Sequence, residues 1–174
     1  MRPSTDIGSR AAAVPNSPSC VVVIDDDEGF RESLGRLLRA AGLNPRVFAS
    51  ISDFVGSDPP DCPTCLVLDV RLPERSGLDF QRELAAAGVT PPIVFVTGHG
   101  DIPMSVQAMK AGAIEFLTKP FREQDLLDAI SVGLARDRVR RQNDEDLNAL
   151  RARFEALTPR ERAILALVAE GRLN

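Results

Sequence analysis

Hydrophobic and polar positions along this chain follow two alternating periods. Short apolar runs rich in β-branched residues predict five strands, at residues 21–24, 46–48, 65–70, 93–96 and 114–117. Apolar residues at helical spacing predict five helices, at residues 29–41, 52–55, 78–87, 102–111 and 123–134. Strands that are apolar on both sides and alternate with helices form a parallel sheet that is covered on both faces. The pattern therefore predicts an α/β fold with a doubly wound, five-stranded parallel sheet.

The pattern changes after residue 134. Residues 136–146 are almost wholly charged or polar, and four apolar residues then recur at spacings of three, four and three. These residues are Leu147, Leu150, Phe154 and Leu157. A single narrow apolar stripe is typical of an amphipathic helix, so we expect a helical linker over residues 136–156.

The two ends of the chain differ from its centre. Thr158 and Glu161 have the spacing of a helix capping box, and Pro159 suits the first helical position. Residues 157–174 therefore predict the start of an all-α domain, which we expect to be truncated because the chain ends before a core could form. Its helix would bury a face made of Ile164, Leu165, Leu167 and Val168. Residues 1–19 are rich in Ser, Pro and Ala without a hydrophobic period, which predicts a disordered leader.

Composition and charge narrow the classes of function. Hydrophobic residues make up 44% of the chain and charged residues 26%, as in globular proteins. Residues 1–135 hold 12 Lys and Arg against 18 Asp and Glu, whereas residues 136–174 hold 9 against 7. An acidic body repels nucleic acid, so a contact with DNA must come from the C-terminal segment. Because no apolar run approaches the roughly 18–20 residues that span a bilayer, and no signal peptide is evident, we expect a cytoplasmic protein without membrane contact.

Polar side chains that carry chemistry follow four of the predicted strands. Asp25 and Asp26 follow the first strand, Asp69 the third, Thr97 the fourth and Lys119 the fifth. The carboxyl ends of parallel strands share one edge of the sheet, where ligands bind in such folds. Clustered carboxylates repel one another and need a cation, and their oxygen atoms suit Mg²⁺. The group predicts a pocket for a phosphoryl group held by a metal, with a carboxylate as the nucleophile.

Four motifs follow one another in the order and spacing of a known family. They are Val22-Val23-Ile24-Asp25-Asp26-Asp27, Leu68-Asp69-Val70-Arg71-Leu72-Pro73 with Gly77, Val96-Thr97-Gly98-His99-Gly100-Asp101, and Phe116-Leu117-Thr118-Lys119-Pro120-Phe121. With these motifs the sequence resembles the receiver domain of two-component response regulators, and residues 97–121 resemble the FixJ-type branch of the NarL/FixJ family. The run Leu157-Thr158-Pro159-Arg160-Glu161-Arg162 resembles the opening of a LuxR-type helix-turn-helix domain.

The resemblance implies a fold and a set of site residues. The fold would be the flavodoxin-like (CheY-like) sheet with strand order 2-1-3-4-5, in a receiver domain over residues 20–135. Asp69 would accept a phosphoryl group from a sensor histidine kinase. Asp26, Asp69 and the backbone carbonyl of Arg71 would ligate Mg²⁺, and Asp25 would hold a metal-bound water. Receivers also resemble one another in a cis peptide bond, here between Lys119 and Pro120.

A phosphorylation switch is also implied by the resemblance. Lys119 and Thr97 would bind phosphoryl oxygens, and Phe116 would turn inward as Thr97 moves. The phosphorylated receiver would dimerise through the face of the fourth helix, where we expect Val106 and Lys110 to point outward. The inward stripe of that helix would consist of Ser105, Ala108, Met109 and Gly112. The dimeric full-length protein would bind promoter DNA and regulate transcription, whereas we expect that the 174-residue chain does not bind DNA specifically.

Other readings of these residues are open. Acids at strand ends also cap helices, although capping does not explain why Lys119 and Thr97 reach the same edge. A phosphatase of the haloacid dehalogenase type needs a second acid two residues after the nucleophile, where this chain has Arg71, so we expect a protein that is not an enzyme. A stand-alone receiver that acts by protein contact is the other alternative, and residues 157–174 argue against it.

Two further signals are weaker. Cys62-Pro63-Thr64-Cys65 is a CxxC motif, but it precedes a strand instead of opening a helix, so a redox site is not indicated. A zinc site needs four ligands, and the sequence offers no clear completion. We therefore expect Cys65 to point into the sheet, and His99 to lie on an exposed loop at the rim of the site.

Overall fold

The computed structural model describes residues 19–169, which contain five strands and six helices. In chain order these are β1 (Cys20–Ile24), α1 (Glu28–Ala40), β2 (Asn44–Phe48), α2 (Ile51–Val55), β3 (Thr64–Asp69), α3 (Gly77–Ala86), β4 (Ile93–Thr97), α4 (Ile102–Lys110), β5 (Glu115–Thr118), α5 (Glu123–Glu155) and α6 (Pro159–Ala169). The predicted leader, apart from Ser19, lies outside the described residues. Among the described residues, no helix is both long and apolar enough to cross a membrane.

The five strands form one parallel sheet in the order β2-β1-β3-β4-β5, which confirms the predicted topology. Ile24 at the end of β1 lies opposite Phe48 of β2 and Leu68 of β3. Asp69, the next residue of β3, lies opposite Val96 of β4. The strands therefore end together at one edge of the sheet, the carboxyl edge.

Alternate residues of each strand enter two separate cores, one on each face of the sheet. Ile24 and Leu68 lie in the core that α2, α3 and α4 cover, and Val23 and Val67 lie in the core that α1 and α5 cover. All four side chains are fully buried. Because both faces are covered, residues 20–24 of β1 and 65–68 of β3 are all apolar, and these two strands are therefore easy to recognise in the sequence.

Helix α5 is much longer than the sequence analysis predicts. The prediction that it ends at Leu134 is wrong, because the helix continues without a break to Glu155. No glycine or proline interrupts residues 134–155. Charged side chains one turn apart also pair along the helix, as Arg140 does with Asp144 at 3.2 Å. The predicted linker helix is thus the second half of α5.

One acid beyond residue 134 is buried. Asp137 is 1% exposed, accepts a hydrogen bond from the N–H of Thr64 at 2.9 Å, and forms ion pairs with Arg140 at 2.7 Å and Arg141 at 2.9 Å. Arg141 also donates to the backbone carbonyl of Pro60 at 2.9 Å. Burial acts to raise the pKa of Asp137, but these hydrogen bonds outweigh burial and hold the pKa below its usual value. The cluster ties the start of the linker to the amino end of β3.

Helix α4 buries a different face from the one predicted. Ala108 is buried and Met104 packs against the core, but Met109 is 44% exposed and Gly112 is also exposed. The inward side is set by residues 104 and 108, four apart, and residue 109 lies about 100° further round the helix. Met109 therefore belongs to the outward side.

Helix α6 begins as predicted. The N–H of Thr158 donates to the Glu161 carboxylate at 2.8 Å, and the N–H of Glu161 donates to Thr158 Oγ1 at 3.4 Å, which forms the capping box. The apolar face that was expected to be buried is exposed, however. Its side chains are between 42% and 58% exposed at Ile164, Leu165, Leu167 and Val168.

Candidate functional site

The carboxyl edge of the sheet brings together the residues that follow the strands. Carboxylate oxygens of Asp25, Asp26 and Asp69 lie within 4.8 Å of one another. Lys119 Nζ lies 2.5 Å from Asp25 Oδ2 and 3.2 Å from Asp69 Oδ2. Thr97 ends the adjoining strand β4, and its backbone carbonyl accepts a hydrogen bond from the N–H of Lys119 at 2.8 Å. The three acids and Lys119 are called the carboxyl-edge cluster below.

Negative charge exceeds positive charge in this cluster. Asp25 is fully buried and Asp69 is 7% exposed, whereas Asp26 is exposed. Burial raises the pKa of the Asp25 carboxyl above its ordinary value, although Lys119 acts in the opposite direction. Burial also acts to lower the pKa of Lys119, but the carboxylates of Asp25 and Asp69 outweigh burial and raise that pKa. The cluster thus contains three carboxylates and one ammonium group.

The donor atoms fit a hard divalent cation. All three acids offer oxygen, the ligand atom that Mg²⁺ prefers. Mg²⁺ keeps several of its waters when it binds protein, and the exposed side chain of Asp26 lies where water can reach such an ion. A bound cation would also relieve the repulsion among the carboxylates, so charge and chemistry agree.

Each of the two buried carboxylates is held by its own loop. Asp25 Oδ1 accepts a hydrogen bond from the N–H of Asp27 at 3.0 Å, and Asp69 Oδ1 accepts one from the N–H of Arg71 at 2.9 Å. In both cases the donor is two residues further along the chain, which is the geometry of an Asx turn. The second oxygen of each carboxylate is the one that faces Lys119.

Helix capping, the alternative role for acids at strand ends, belongs to neighbouring residues. Asp27 accepts a hydrogen bond from the N–H of Phe30 at 3.0 Å and is the N-cap of α1. Ser76 is the N-cap of α3. Asp25 and Asp69 are therefore not needed as caps, and their burial at the carboxyl edge has another cause.

Comparison with known proteins decides the family. The response regulator receiver domain family matches residues 21–131 of this chain. The chain belongs to that family. It is 50% identical over 159 residues to nodulation protein W of Bradyrhizobium diazoefficiens, and the matched residues make up 91% of this chain and 70% of that protein. It is also 38% identical over 154 residues to transcriptional regulatory protein FixJ of Azorhizobium caulinodans, and those residues make up 88% of this chain and 73% of FixJ.

Solved structures agree with this result. The structure of the response regulator StyR is 49% identical in sequence and superposes with a TM-score of 0.80, covering 88% of this chain and 78% of StyR. The predicted membership among FixJ-type two-component response regulators is confirmed, as is the predicted receiver fold. Proteins of this class are phosphorylated and regulate transcription, so the predicted class of function is confirmed as well.

The lysine of this receiver lies against an aromatic ring that the sequence analysis did not single out. Lys119 Nζ lies 3.7 Å from the centre of the Phe30 ring, in the first turn of α1, and Phe121 packs edge-on against the same ring at 6.2 Å. A cation over an aromatic face is attracted by it. Phe30 therefore holds the ammonium group between the two buried carboxylates. The peptide bond from Lys119 to Pro120 is cis, as the resemblance implies.

Gly77 is required by the close approach of α3 to the end of β3. A Cβ atom at this position would lie 2.4 Å from the backbone carbonyl oxygen of Asp69 and 3.1 Å from Leu68 Cγ. The N–H of Gly77 also donates to the carbonyl of Val70 at 2.9 Å. The glycine of the Asp69 motif thus lets the backbone of α3 pack directly on the end of β3.

Thr97 and Phe116 lie on adjoining strands behind the cluster. Thr97 is 1% exposed, and its Oγ1 accepts a hydrogen bond from the N–H of His99 at 3.3 Å. The half-buried Phe116 ring lies 6.2 Å from that of Phe95. A Cβ atom at Gly100 would lie 2.8 Å from Phe116 Cε1, so the loop after Thr97 lies directly on this ring. The sequence analysis identifies Thr97 and Phe116 but not Gly100, whose contact crosses between strands.

The CxxC motif and the histidine of the receiver are separate from the cluster. Cys65 is fully buried in β3, where the prediction that it points into the sheet is confirmed. Burial raises the pKa of its thiol to about 12, which is the opposite of a reactive cysteine. A Cβ atom at Gly133 would lie 2.6 Å from Cys65 Sγ, so α5 packs directly on this residue. His99 is exposed, as expected.

Proposed function

We propose that Asp69 of this receiver accepts the phosphoryl group of a phosphohistidine on a sensor histidine kinase. An oxygen of the Asp69 carboxylate attacks phosphorus, the bond from phosphorus to the histidine nitrogen breaks, and an acyl phosphate forms. The observation that carries the proposal is the position of Asp69 in the carboxyl-edge cluster. Its Oδ1 accepts a hydrogen bond from the N–H of Arg71, its Oδ2 lies 3.2 Å from Lys119, and the residue is 7% exposed.

The same proposal assigns the metal ligands. Asp26, Asp69 and the backbone carbonyl of Arg71 hold Mg²⁺ directly, and Asp25 holds it through a water. Support for the different role of Asp25 comes from its burial. Asp25 is fully buried, whereas Asp69 is 7% exposed and Asp26 is exposed. Bound Mg²⁺ neutralises negative charge on the carboxylates and on the transferred phosphoryl group.

Lys119 and Thr97 couple phosphorylation to a change of surface in this proposal. The ammonium of Lys119 and the hydroxyl of Thr97 each bind a phosphoryl oxygen. Thr97 moves toward the phosphate, and the loop to which it is bound through His99 moves with it. Phe116, on which this loop lies, then turns inward. Support comes from the contact of Gly100 with the Phe116 ring and from the burial of Thr97.

Helix α4 offers the surface for dimerisation of the phosphorylated receiver. Ile102, Val106 and Met109 are 78%, 45% and 44% exposed and lie at helical spacing, with the exposed Lys110 beside them. We call these four residues the α4 face. Adjacent exposed apolar side chains of this kind are typical of a surface that binds another protein. Two phosphorylated receivers would meet there.

The remaining residues connect this switch to DNA. In this proposal residues 20–135 are the receiver, residues 136–156 are the linker and residues 157–174 begin a LuxR-type DNA-binding domain. In the full-length regulator that domain binds promoter DNA. A phosphatase is disfavoured because Arg71 occupies the position of the second acid, and its N–H is used to hold Asp69.

Acetyl phosphate with Mg²⁺ tests the acceptor. Intact-mass measurement should show one added phosphate on the parent chain, none on Asp69→Asn, and none on the parent chain when Mg²⁺ is chelated. The exposed Asp79 of α3 provides the control, because Asp79→Asn removes a carboxylate outside the cluster and should label normally. Lys119→Ala should still be labelled but should not dimerise. Full labelling of Asp69→Asn would show that the acceptor is another residue.

A further inference from the structure

The linker half of α5 carries exposed apolar side chains on one face. Leu147, Leu150 and Phe154 are 51%, 64% and 50% exposed. We call these three residues the linker seam. At 3.6 residues per turn they project to a different side of the helix from Asp137, which contacts the receiver. The receiver therefore does not cover the seam. Helix α6 adjoins its end, where Arg162 lies 5.7 Å from the centre of the Phe154 ring, and at least half of each seam residue stays exposed.

The spacing of the linker seam is that of a coiled coil. Leu147 and Phe154 are seven residues apart, and Leu150 lies three residues after the first and four before the second. In a heptad lettered a to g, Leu147 and Phe154 occupy position a and Leu150 occupies position d. Helix α5 ends at Glu155, so the repeat within the helix consists of these three residues.

Charges beside the seam indicate the partner and its direction. In this register Asp146 occupies position g and Arg151 occupies position e of the next heptad, and both are exposed. In two parallel helices in register, a g residue of one chain faces the e residue five positions further along the other chain. Asp146 of each copy would therefore face Arg151 of the other, and the two copies would form two symmetric ion pairs.

We propose that the linker seam binds the linker seam of a second copy of this chain, as a short parallel coiled coil in register. The occupant is a second copy because the two charged positions complement each other when the helix meets itself in this way. Fewer than two heptads are too short to associate alone in water. The seam therefore acts only when another contact has already brought two chains together.

This inference rests on the proposed function, which supplies that other contact. Phosphorylated receivers meeting through the α4 face place the two linkers at a high effective concentration, and the seam then adds to the stability of the dimer. Helix α5 is continuous from the receiver to Glu155, so pairing of the linkers also fixes the relative position of the segments that follow.

Dimerisation of the 174-residue chain after acetyl phosphate treatment tests the seam. Analytical ultracentrifugation measures the dimer dissociation constant, and intact mass confirms phosphorylation of each variant. Leu150→Asp should weaken the phosphorylated dimer by at least about tenfold, because two buried leucines are lost. Asp146→Lys and Arg151→Glu should each weaken it by roughly two- to fivefold, as expected for exposed ion pairs. The double variant Asp146→Lys with Arg151→Glu should recover the parent value, because its charges are exchanged and still complementary.

Glu145→Lys is the matched control for Asp146→Lys. It makes the same change of charge at the adjoining exposed position, which points away from the seam, and it should leave the dimer unchanged. Normal phosphorylation with an undiminished dimer in Leu150→Asp overturns the seam and leaves the proposed function standing. Failure of the double charge exchange to restore the dimer overturns the parallel pairing. A phosphorylated parent chain that stays monomeric overturns both the seam and the proposed dimer.

Discussion

Two buried acidic clusters lie at opposite ends of the same sheet and differ in how their charge is balanced. At the carboxyl edge, Asp25, Asp26 and Asp69 lie close together, and Asp25 and Asp69 share the ammonium group of Lys119. At the amino edge, Asp137 has two arginines and a backbone N–H to itself. We call Asp137 with Arg140 and Arg141 the amino-edge cluster. The pKa of Asp25 is raised because the effect of burial exceeds that of its hydrogen bonds. The pKa of Asp137 is lowered because its hydrogen bonds exceed the effect of burial.

This difference in charge balance distinguishes an acid that is paired within the protein from acids that are suited to bind a cation. The single carboxylate of Asp137 is paired with two arginines, so the protein itself balances its negative charge. Carboxylates that outnumber the positive groups beside them repel one another, and a bound cation relieves this repulsion. The charge balance of a cluster, more than its burial, thus indicates its role.

The largest expected effect is on the free energy of unfolding. Asp137→Ala should lower it by about 3–5 kcal/mol, because the substitution leaves Arg140 and Arg141 without their buried partner and orphans the N–H of Thr64. Asp26→Ala should change it by less than about 1 kcal/mol or raise it, because repulsion in the carboxyl-edge cluster is relieved. Urea unfolding of the two variants without Mg²⁺ measures both values. Equal losses in the two variants would contradict the comparison.

Much of this arrangement follows from the sequence, and the reason is topological. Parallel strands end at one edge, so placing Asp25, Asp69 and Lys119 at strand ends already brings them together. Asp137 could not be recognised in the same way. It lies in a run of charged residues, and its partner Thr64 is 73 residues away, so only the packing of α5 on β3 shows that it is buried.

The sequence also does not predict which side of α4 is buried or which backbone atoms come into contact. The small and apolar residues of α4 allow more than one inward side, and packing of Met104 on the core selects the one that exposes Met109. Gly77 is part of the family motif, but its reason is the approach of a Cβ atom to the Asp69 carbonyl, a contact between two elements. The sequence predicts helices on both sides of residue 135 but not that they are continuous, because a change from apolar to charged residues need not end a helix.

Mg²⁺ should stabilise one cluster and not the other. At ten times its dissociation constant it should raise the free energy of unfolding of the parent chain by about 1.4 kcal/mol, because it binds only the folded state. The increase should vanish in Asp26→Ala and persist in Asp137→Asn. Urea unfolding with and without Mg²⁺ measures it, with Ca²⁺-free buffers throughout. If the Mg²⁺ effect were lost in Asp137→Asn and kept in Asp26→Ala, the ion would bind at the amino-edge cluster, which would contradict the proposed site.

A smaller effect on the free energy of unfolding is expected at low pH. Because the pKa of Asp137 is lower in the folded protein than in the unfolded chain, its stabilisation is complete above the unfolded pKa of about 4. It is lost as pH falls through the folded pKa. The free energy of unfolding of the parent chain should therefore fall more steeply below about pH 4 than that of Asp137→Asn. Urea unfolding at a series of pH values compares the slopes, and parallel slopes would show that Asp137 is not held ionised by its arginines.

The central claim is that the acid at the end of β3 carries the phosphoryl group. The most direct measurement is chemical mapping of the parent chain after treatment with acetyl phosphate and Mg²⁺. Borohydride reduces an aspartyl phosphate to homoserine, and peptide mass spectrometry then locates the modified residue. The account predicts homoserine in place of Asp69 and unmodified aspartate at positions 25, 26 and 137. Reduction at any of those three positions, with Asp69 intact, would contradict it.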